Sequence, residues 1–240
     1  MGSFRYFDAV IFDLDGVLVD HQHSFAQTIT ALRARFPIFS TLDEVEMTKN
    51  FSTASKQVHK ASPHQDSACY SKVHSSMGAF FKLAGLPEPD DIEMERYSRF
   101  YVHQYWSNMR PTPGSLDTLR QLRQAGYRIG ILTSGERRLQ ESKAKTVGVL
   151  QLANCQLGSK DIVSLQPDCP ASLMMAGALG TSPENTVVVG SSRQRGNEGS
   201  TSAGVRAIWY SPQTAYVASG SRVPVINEVP QLLHYLIGRT

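Results

Sequence analysis

The sequence lacks the features that mark several large protein classes. Three cysteines occur in 240 residues, Cys69, Cys155 and Cys169. They are odd in number and no two are spaced as CxxC, which argues against a disulfide scaffold or a cysteine zinc site and points to a reducing, cytoplasmic setting. No apolar run approaches the roughly 18 residues that a membrane-spanning helix needs. The apolar run at residues 7–12 is interrupted by Asp8 and closed by Asp13 and Asp15, so it does not read as a signal-peptide core. An excess of one charge is also missing: 24 Lys+Arg stand against 21 Asp+Glu, a formal net charge of +3. There is no block of five basic residues, and neither nucleic acid nor membrane is expected as a partner. Internal repeats and low-complexity tracts are absent.

What remains is a globular mixture. Hydrophobic residues make up 41% of the chain, enough to bury a core in one large domain or in one domain with an inserted module. Val- and Ile-rich runs predict strands over residues 7–13, 127–133, 186–189 and 205–210, with a short edge strand at 223–226. Helical patterns fall between them, over 115–125, 136–147, 171–179 and 229–237. Alternation of this kind predicts an α/β fold with a doubly wound parallel sheet covered on both faces. The middle of the chain differs. Residues 21–106 show no strand and read as helices over 24–36, 68–83 and 91–105, broken by Pro63, Gly85-Leu86-Pro87 and Pro89. This segment is neutral, nine Lys/Arg against nine Asp/Glu, and holds six of the seven histidines. It is expected to form an α-helical cap (21–106) inserted into a core made of 1–20 and 107–240, with Pro111-Thr112-Pro113-Gly114 marking the return.

The strongest local signal is Ile11-Phe12-Asp13-Leu14-Asp15-Gly16-Val17-Leu18-Val19-Asp20. A buried strand ends in two carboxylates two residues apart, followed by a glycine turn. In an open parallel sheet, ligands bind at the carboxyl ends of the strands. There, one carboxylate can attack an electrophile while the other exchanges protons with the leaving group and with water. The plain alternative is a pair of turn acids beside Gly16.

This string resembles the first motif of the haloacid dehalogenase-like (HAD) superfamily. More narrowly, it is similar to the branch of β-phosphoglucomutases and phosphoglycolate phosphatases, which carry a helical cap after that motif. Residues 129–135, a strand ending in Thr133-Ser134-Gly135, resemble the second motif. The resemblance implies a HAD-like Rossmannoid core, Asp13 as the nucleophile that forms an aspartyl-phosphate and Asp15 as the acid/base. It also implies that Thr133, Ser134 and Gly135 hold the phosphoryl group, and that Mg²⁺ is bound with help from Asp13 and Asp15. Hydroxyls and free N–H groups at a helix start suit an anion on physical grounds as well. The plain reading of Thr133-Ser134 is a helix N-cap before Glu136.

The third and fourth motifs depart from the family. Gap-free spacing puts Gln166 where the family has a lysine, and the nearest Lys is Lys160. Ser191 stands where a magnesium-binding Asp belongs, and Gly196 where a second acid would be. Mg²⁺ is held through one or two carboxylates in near-octahedral geometry, so these losses argue against ordinary magnesium chemistry. Arg193 and Arg195 enter the same loop, and two guanidinium groups can bind an anion without metal; the alternative is a pair of solvated loop residues. Glu198 is a candidate substitute ligand.

Lesser signals read as structure. His21-Gln22-His23 is expected to be an exposed hinge rather than a metal pair, and Lys56, His59 and Lys60 a solvated helix face. Tyr97, Phe100, Tyr101, Tyr105 and Trp106 are expected to form the core of the cap. Together these features predict a HAD-like hydrolase of the phosphatase type, acting on a small phosphorylated or anionic metabolite. Two alternatives remain: an inactive relative that binds a ligand or protein partner in the cap–core cleft, and a metal-independent HAD enzyme with non-phosphatase chemistry.

Overall fold

The computed structural model describes residues 7–61, 69–133, 135–158, 170–191, 204–212 and 223–238. The chain divides into two compact units, Met1–Asp20 with Pro111–Thr240, and His21–Arg110. The return to the first unit lies at Pro111 rather than 107, because the last helix of the second unit (α4, Asp91–Ser107) runs past Trp106.

The first unit is built on a six-stranded sheet. Its strands are β1 (Ala9–Asp13), β2 (Arg128–Thr133), β3 (Cys155–Gly158), β4 (Thr186–Gly190), β5 (Arg206–Tyr210) and β6 (Val225–Ile226). They lie in the order β3-β2-β1-β4-β5-β6, and every neighbouring pair is parallel. Helices α5 (Ser115–Gln124), α6 (Arg137–Thr146), α7 (Ala171–Ala178) and α8 (Gln231–Leu236) accompany the strands. This is the α/β, Rossmannoid architecture that the alternating pattern predicts.

Strands covered on both faces read as continuous apolar runs. Residues Ala9 to Phe12 of β1 are fully buried, and so is Val189 of β4. β3 is the exception. The sequence Cys-Gln-Leu-Gly predicts no strand, and as an edge strand it leaves three of its four residues half-buried. Its pairing is set by the backbone and by Asn154. The Asn154 N–H donates to the Ile129 carbonyl at 2.7 Å, and Asn154 Oδ1 accepts from the Ile129 N–H at 2.8 Å. No hydrophobic period announces such a strand.

Helix α7 lays Met175 and Leu179 against Ala9, Ile11, Val188 and Val205. The close approach depends on Gly130 of β2, where a Cβ would fall 2.7 Å from Met175 Sδ and 2.9 Å from its Cγ. Arg128 secures the end of α7: its Nη1 donates to the Leu179 and Gly180 carbonyls, each at 2.6 Å. These are among the carbonyls that a helix terminus leaves without an intrahelical partner.

The second unit contains α1 (His21–Arg35), α2 (Glu44–Ala61), α3 (Tyr70–Leu83) and α4. The sequence predicts only three of these. α2 is mostly polar, and its apolar stripe is thin: Met47, Phe51 and Ala54 are the buried residues. Asp43 starts α2 by accepting from the Glu46 N–H at 2.7 Å, and Asp90 starts α4 by accepting from the Glu93 N–H at 2.8 Å. Each such cap contributes about 1 kcal/mol. The core is aromatic. Tyr97, Tyr101 and Tyr105 form the buried stripe of α4, Phe51 stacks on Tyr101 at 4.7 Å, and Phe36 meets Tyr97 edge-on at 4.8 Å. Phe100 and Trp106 are half-buried at its margin.

Two expectations about histidine change. His21 is not an exposed residue: it lies in the first turn of α1, with Nδ1 2.7 Å from the Tyr105 hydroxyl and its ring stacked on Phe25. His59 is not on a fully solvated face, because its Nδ1 lies 3.1 Å from Nζ of the buried Lys72. Among the described residues no helix is long and apolar enough to cross a membrane.

Two outcomes follow from this packing. Gly130→Val overpacks the contact of β2 with α7 and is expected to lower stability by about 1–3 kcal/mol, read by urea or thermal denaturation. At the start of β3, burial pushes the Cys155 thiol up from its ordinary range. A raised thiol pKa leaves less thiolate at neutral pH. Alkylation of Cys155 by iodoacetamide, followed by mass spectrometry, is therefore expected to rise with pH later than that of free cysteine.

Candidate active site

The strand order reverses beside β1. From β1 the chain passes to β2 and β3 on one side, then crosses to β4 on the other. Such a switch point opens a crevice at the carboxyl ends of the strands. Asp13 is the last residue of β1 and stands opposite Leu132, so Thr133 is the next residue along β2. Ser191 follows Gly190, the last residue of β4. Three separate sequence motifs thus meet at one edge of the sheet. Ser191 Oγ donates to Asp13 Oδ2 at 3.5 Å, the outer limit of a hydrogen bond.

The turn that carries Asp15 is rigidly built. The Leu18 and Val19 N–H groups donate to the Leu14 carbonyl at 3.0 and 2.9 Å, and the Gly16 N–H donates to Val19 O at 3.2 Å. Leu14, Val17, Leu18 and Val19 are fully buried and anchor it. Gly16 is required twice over. Its φ is 82°, and a Cβ there would lie 3.1 Å from Ser191 Oγ.

Asp15 has partners that the sequence motifs do not announce. Lys143 Nζ donates to Asp15 Oδ1 at 2.9 Å and to Oδ2 at 3.0 Å, and Gln140 Nε2 donates to Oδ2 at 3.3 Å. Lys143 is fully buried, while the Asp15 side chain keeps 33% exposure. Both donors sit on α6, three residues apart and so on one face. The buried residues of that helix are Gln140, Lys143 and Ala144. Burying polar groups is costly unless they find partners, and Asp15 accepts from the Lys143 ammonium and the Gln140 Nε2. One signal was present in the sequence: residues 137–146 contain too few apolar residues to form a hydrophobic stripe.

Thr133 is buried, and its Oγ1 donates to the Leu157 carbonyl at 3.5 Å. It is not a helix cap. The N-cap of α6 is Glu136, whose side chain makes no capping hydrogen bond. Gly135 is buried between them. Ser134, Lys160, Gln166, Arg193, Arg195, Gly196 and Glu198 lie outside the described residues.

A magnesium ion needs oxygen donors, carboxylates foremost. Here Ser191 brings a hydroxyl where a carboxylate would serve. Among the described residues no group of three His, Cys, Asp or Glu could hold a metal ion. Mg²⁺ is commonly held through one or two carboxylates and water, and here Asp13 would be its carboxylate ligand.

The chain matches the family model for haloacid dehalogenase-like hydrolases over residues 10–210. It is 22% identical over 187 residues to a phosphoglycolate phosphatase of Mannheimia succiniciproducens, covering 78% of each chain. It is 26% identical over 142 residues to a glyceraldehyde 3-phosphate phosphatase of Methanothermobacter thermautotrophicus, covering 57% of this chain and 63% of that one. Among solved structures, it shares its fold with a magnesium-bound HAD hydrolase of Bacillus subtilis at a TM-score of 0.69 and 20% identity, covering 97% of this chain and 99% of that one. The matched span runs from the buried start of β1 to the end of β5 and takes in every strand that reaches Asp13, and the chain belongs to the haloacid dehalogenase-like hydrolases.

Proposed function

We propose that the chain is a hydrolase of the phosphatase type, acting on a small phosphorylated or otherwise anionic metabolite through Asp13. The observation that carries this reading is the placement of Asp13 at the switch point, with Thr133 ending one flanking strand, Ser191 just past the end of the other, and Asp15 on an anchored turn two residues on. The phosphatase relatives at 22% and 26% identity support the same class.

In this reading an Asp13 carboxylate oxygen attacks phosphorus and the ester P–O bond breaks. The departing oxygen takes a proton, and an aspartyl-phosphate is left. Water then attacks that phosphorus, gives up a proton, and releases inorganic phosphate with the Asp13 carboxylate restored. Asp15 is the acid/base of both steps. Its carboxyl is held in one orientation by Lys143 and Gln140. Thr133, Ser134 and Gly135 receive the phosphoryl oxygens, and Arg193 and Arg195 are the candidate anion clamps. A carboxylate approaching a phosphate is opposed by like charge, about 4 kcal/mol per unit pair at 4 Å for an effective dielectric constant near 20. A fixed positive charge in the site is therefore a requirement of the chemistry.

A panel of phosphate esters tests the reading. Asp13→Asn is expected to remove turnover by about a thousandfold or more, and Thr133→Ala to reduce it about a hundredfold, with both variants folded by circular dichroism. Turnover that persists in Asp13→Asn overturns the assignment of the nucleophile. Absence of wild-type turnover on every ester, with ligand binding unchanged in Asp13→Asn, identifies the non-catalytic alternative.

A further inference from the structure

We propose that the second unit carries a binding site of its own, a cavity among α1, α2, α3 and α4 that takes a short hydroxy-carboxylate. The inference does not rest on the phosphatase reading, and no residue of this site belongs to the cluster around Asp13.

The cavity has a volume of about 160 Å³, and every residue that lines it falls between His21 and Tyr101, inside the second unit. Phe25, Phe51 and Tyr101 give it an aromatic wall, with Phe51 stacked on Tyr101 at 4.7 Å and Phe25 tilted against Phe51 at 5.9 Å. A mere packing gap between such rings would be apolar all round. This one is not: Ser52, Ser55 and Lys56 of α2 and Ser76 of α3 complete the lining. Ser52, Ser55 and Lys56 are three and four residues apart, and so share one face of their helix.

The polar groups of this lining are unspent. A Ser or Thr inside a helix can bond back to the carbonyl four residues earlier. Thr53 does so to Lys49 at 2.8 Å, and Ser75 to Ser71 at 3.0 Å. The Ser52, Ser55 and Ser76 hydroxyls, beside them on the same two helices, have no hydrogen-bond partner among the described residues. Nor has the Tyr101 hydroxyl, whose ionisation burial alone pushes upward. Ser76 is 2% exposed and Tyr101 4%. Buried hydroxyls are as a rule paired, so two of them on one cavity point to a partner inside it. Lys56 adds a cation that makes no ion pair among the described residues. It is the one lysine of the lining, where no arginine or acid stands, and it matches a single negative charge. A carboxylate meets that need, whereas a phosphate dianion would leave a charge unmatched. Hydroxyls both donate and accept, so the serines and the phenol suit hydroxyl groups on the ligand. Since a cavity of about 150 Å³ takes benzene, this one takes about six to eight non-hydrogen atoms.

Titration of racemic glycerate into the full-length protein by calorimetry tests this, with propionate and glycerol as comparison ligands. Glycerate is expected to bind with a millimolar dissociation constant. Propionate lacks the hydroxyls and glycerol the charge, and each is expected to bind about tenfold more weakly or worse. Lys56→Met is expected to weaken glycerate binding about tenfold, and Ser76→Ala and Tyr101→Phe each about threefold. Lys49→Met, at an exposed lysine of the same helix, is expected to leave the affinity unchanged. Lys56 is exposed, so its variant is expected to fold, and Tyr101→Phe keeps the stacked ring. Absence of glycerate binding to the wild type at tens of millimolar overturns the proposal. Equal binding by the wild type and Lys56→Met overturns it too, as does a loss in Lys49→Met as large as that in Lys56→Met. Propionate binding as tight as that of glycerate overturns the assignment of the hydroxyls. The titration needs no turnover, so a protein that hydrolyses no phosphate ester defeats the phosphatase reading and leaves this one to be decided by the Lys56 comparison.

Discussion

All paired strands of the sheet run in one direction, and this constraint places everything else in the first unit. Parallel strands deliver their carboxyl ends to a common edge, so residues that close different strands become neighbours although they are far apart in the chain. Asp13 closes β1, Thr133 closes β2, and Ser191 follows β4. Because the order reverses at β1, the adjoining connections leave in opposite directions and open a crevice there and not elsewhere along the edge. The apolar sequence of β1 is what holds it at the centre, where both faces are covered.

The second requirement is electrostatic. Carboxylates gathered at one edge of the sheet need positive charge or hydrogen-bond donors facing them. The inward face of α6 carries Gln140 and Lys143, and both donate to Asp15. The helix that follows the second motif therefore does more than cover the sheet: it holds the second aspartate from behind. The rigid turn from Leu14 to Val19 holds the same residue from the front.

Much of the fold was legible because buried parallel strands and amphipathic helices leave strong periodic marks. β1, β2, β4 and β5 are apolar runs, and α1, α3 and α4 carry recognisable stripes or breaks. β3 was not legible, since an edge strand held by Asn154 and backbone hydrogen bonds needs no apolar pattern. α2 was not, because three apolar positions among polar ones make a weak stripe that becomes evident only against α3 and α4. His21 read as exposed because nothing near it in the chain reveals Tyr105, 84 residues away.

For the site, the sequence by itself determined which residues close the strands: the two aspartates, the Thr133 of the second motif, and the departures at 166 and 191. These are local patterns of a few residues, set by strand ends and turns, and they survive without knowledge of the fold. Tertiary structure alone decided which cation faces Asp15. Lys143 is 128 positions from it, on a helix whose sequence is unremarkable apart from its want of apolar residues. An ion pair across that distance depends on the packing of α6 beside the end of β1, and the order of residues along the chain carries no record of such a meeting.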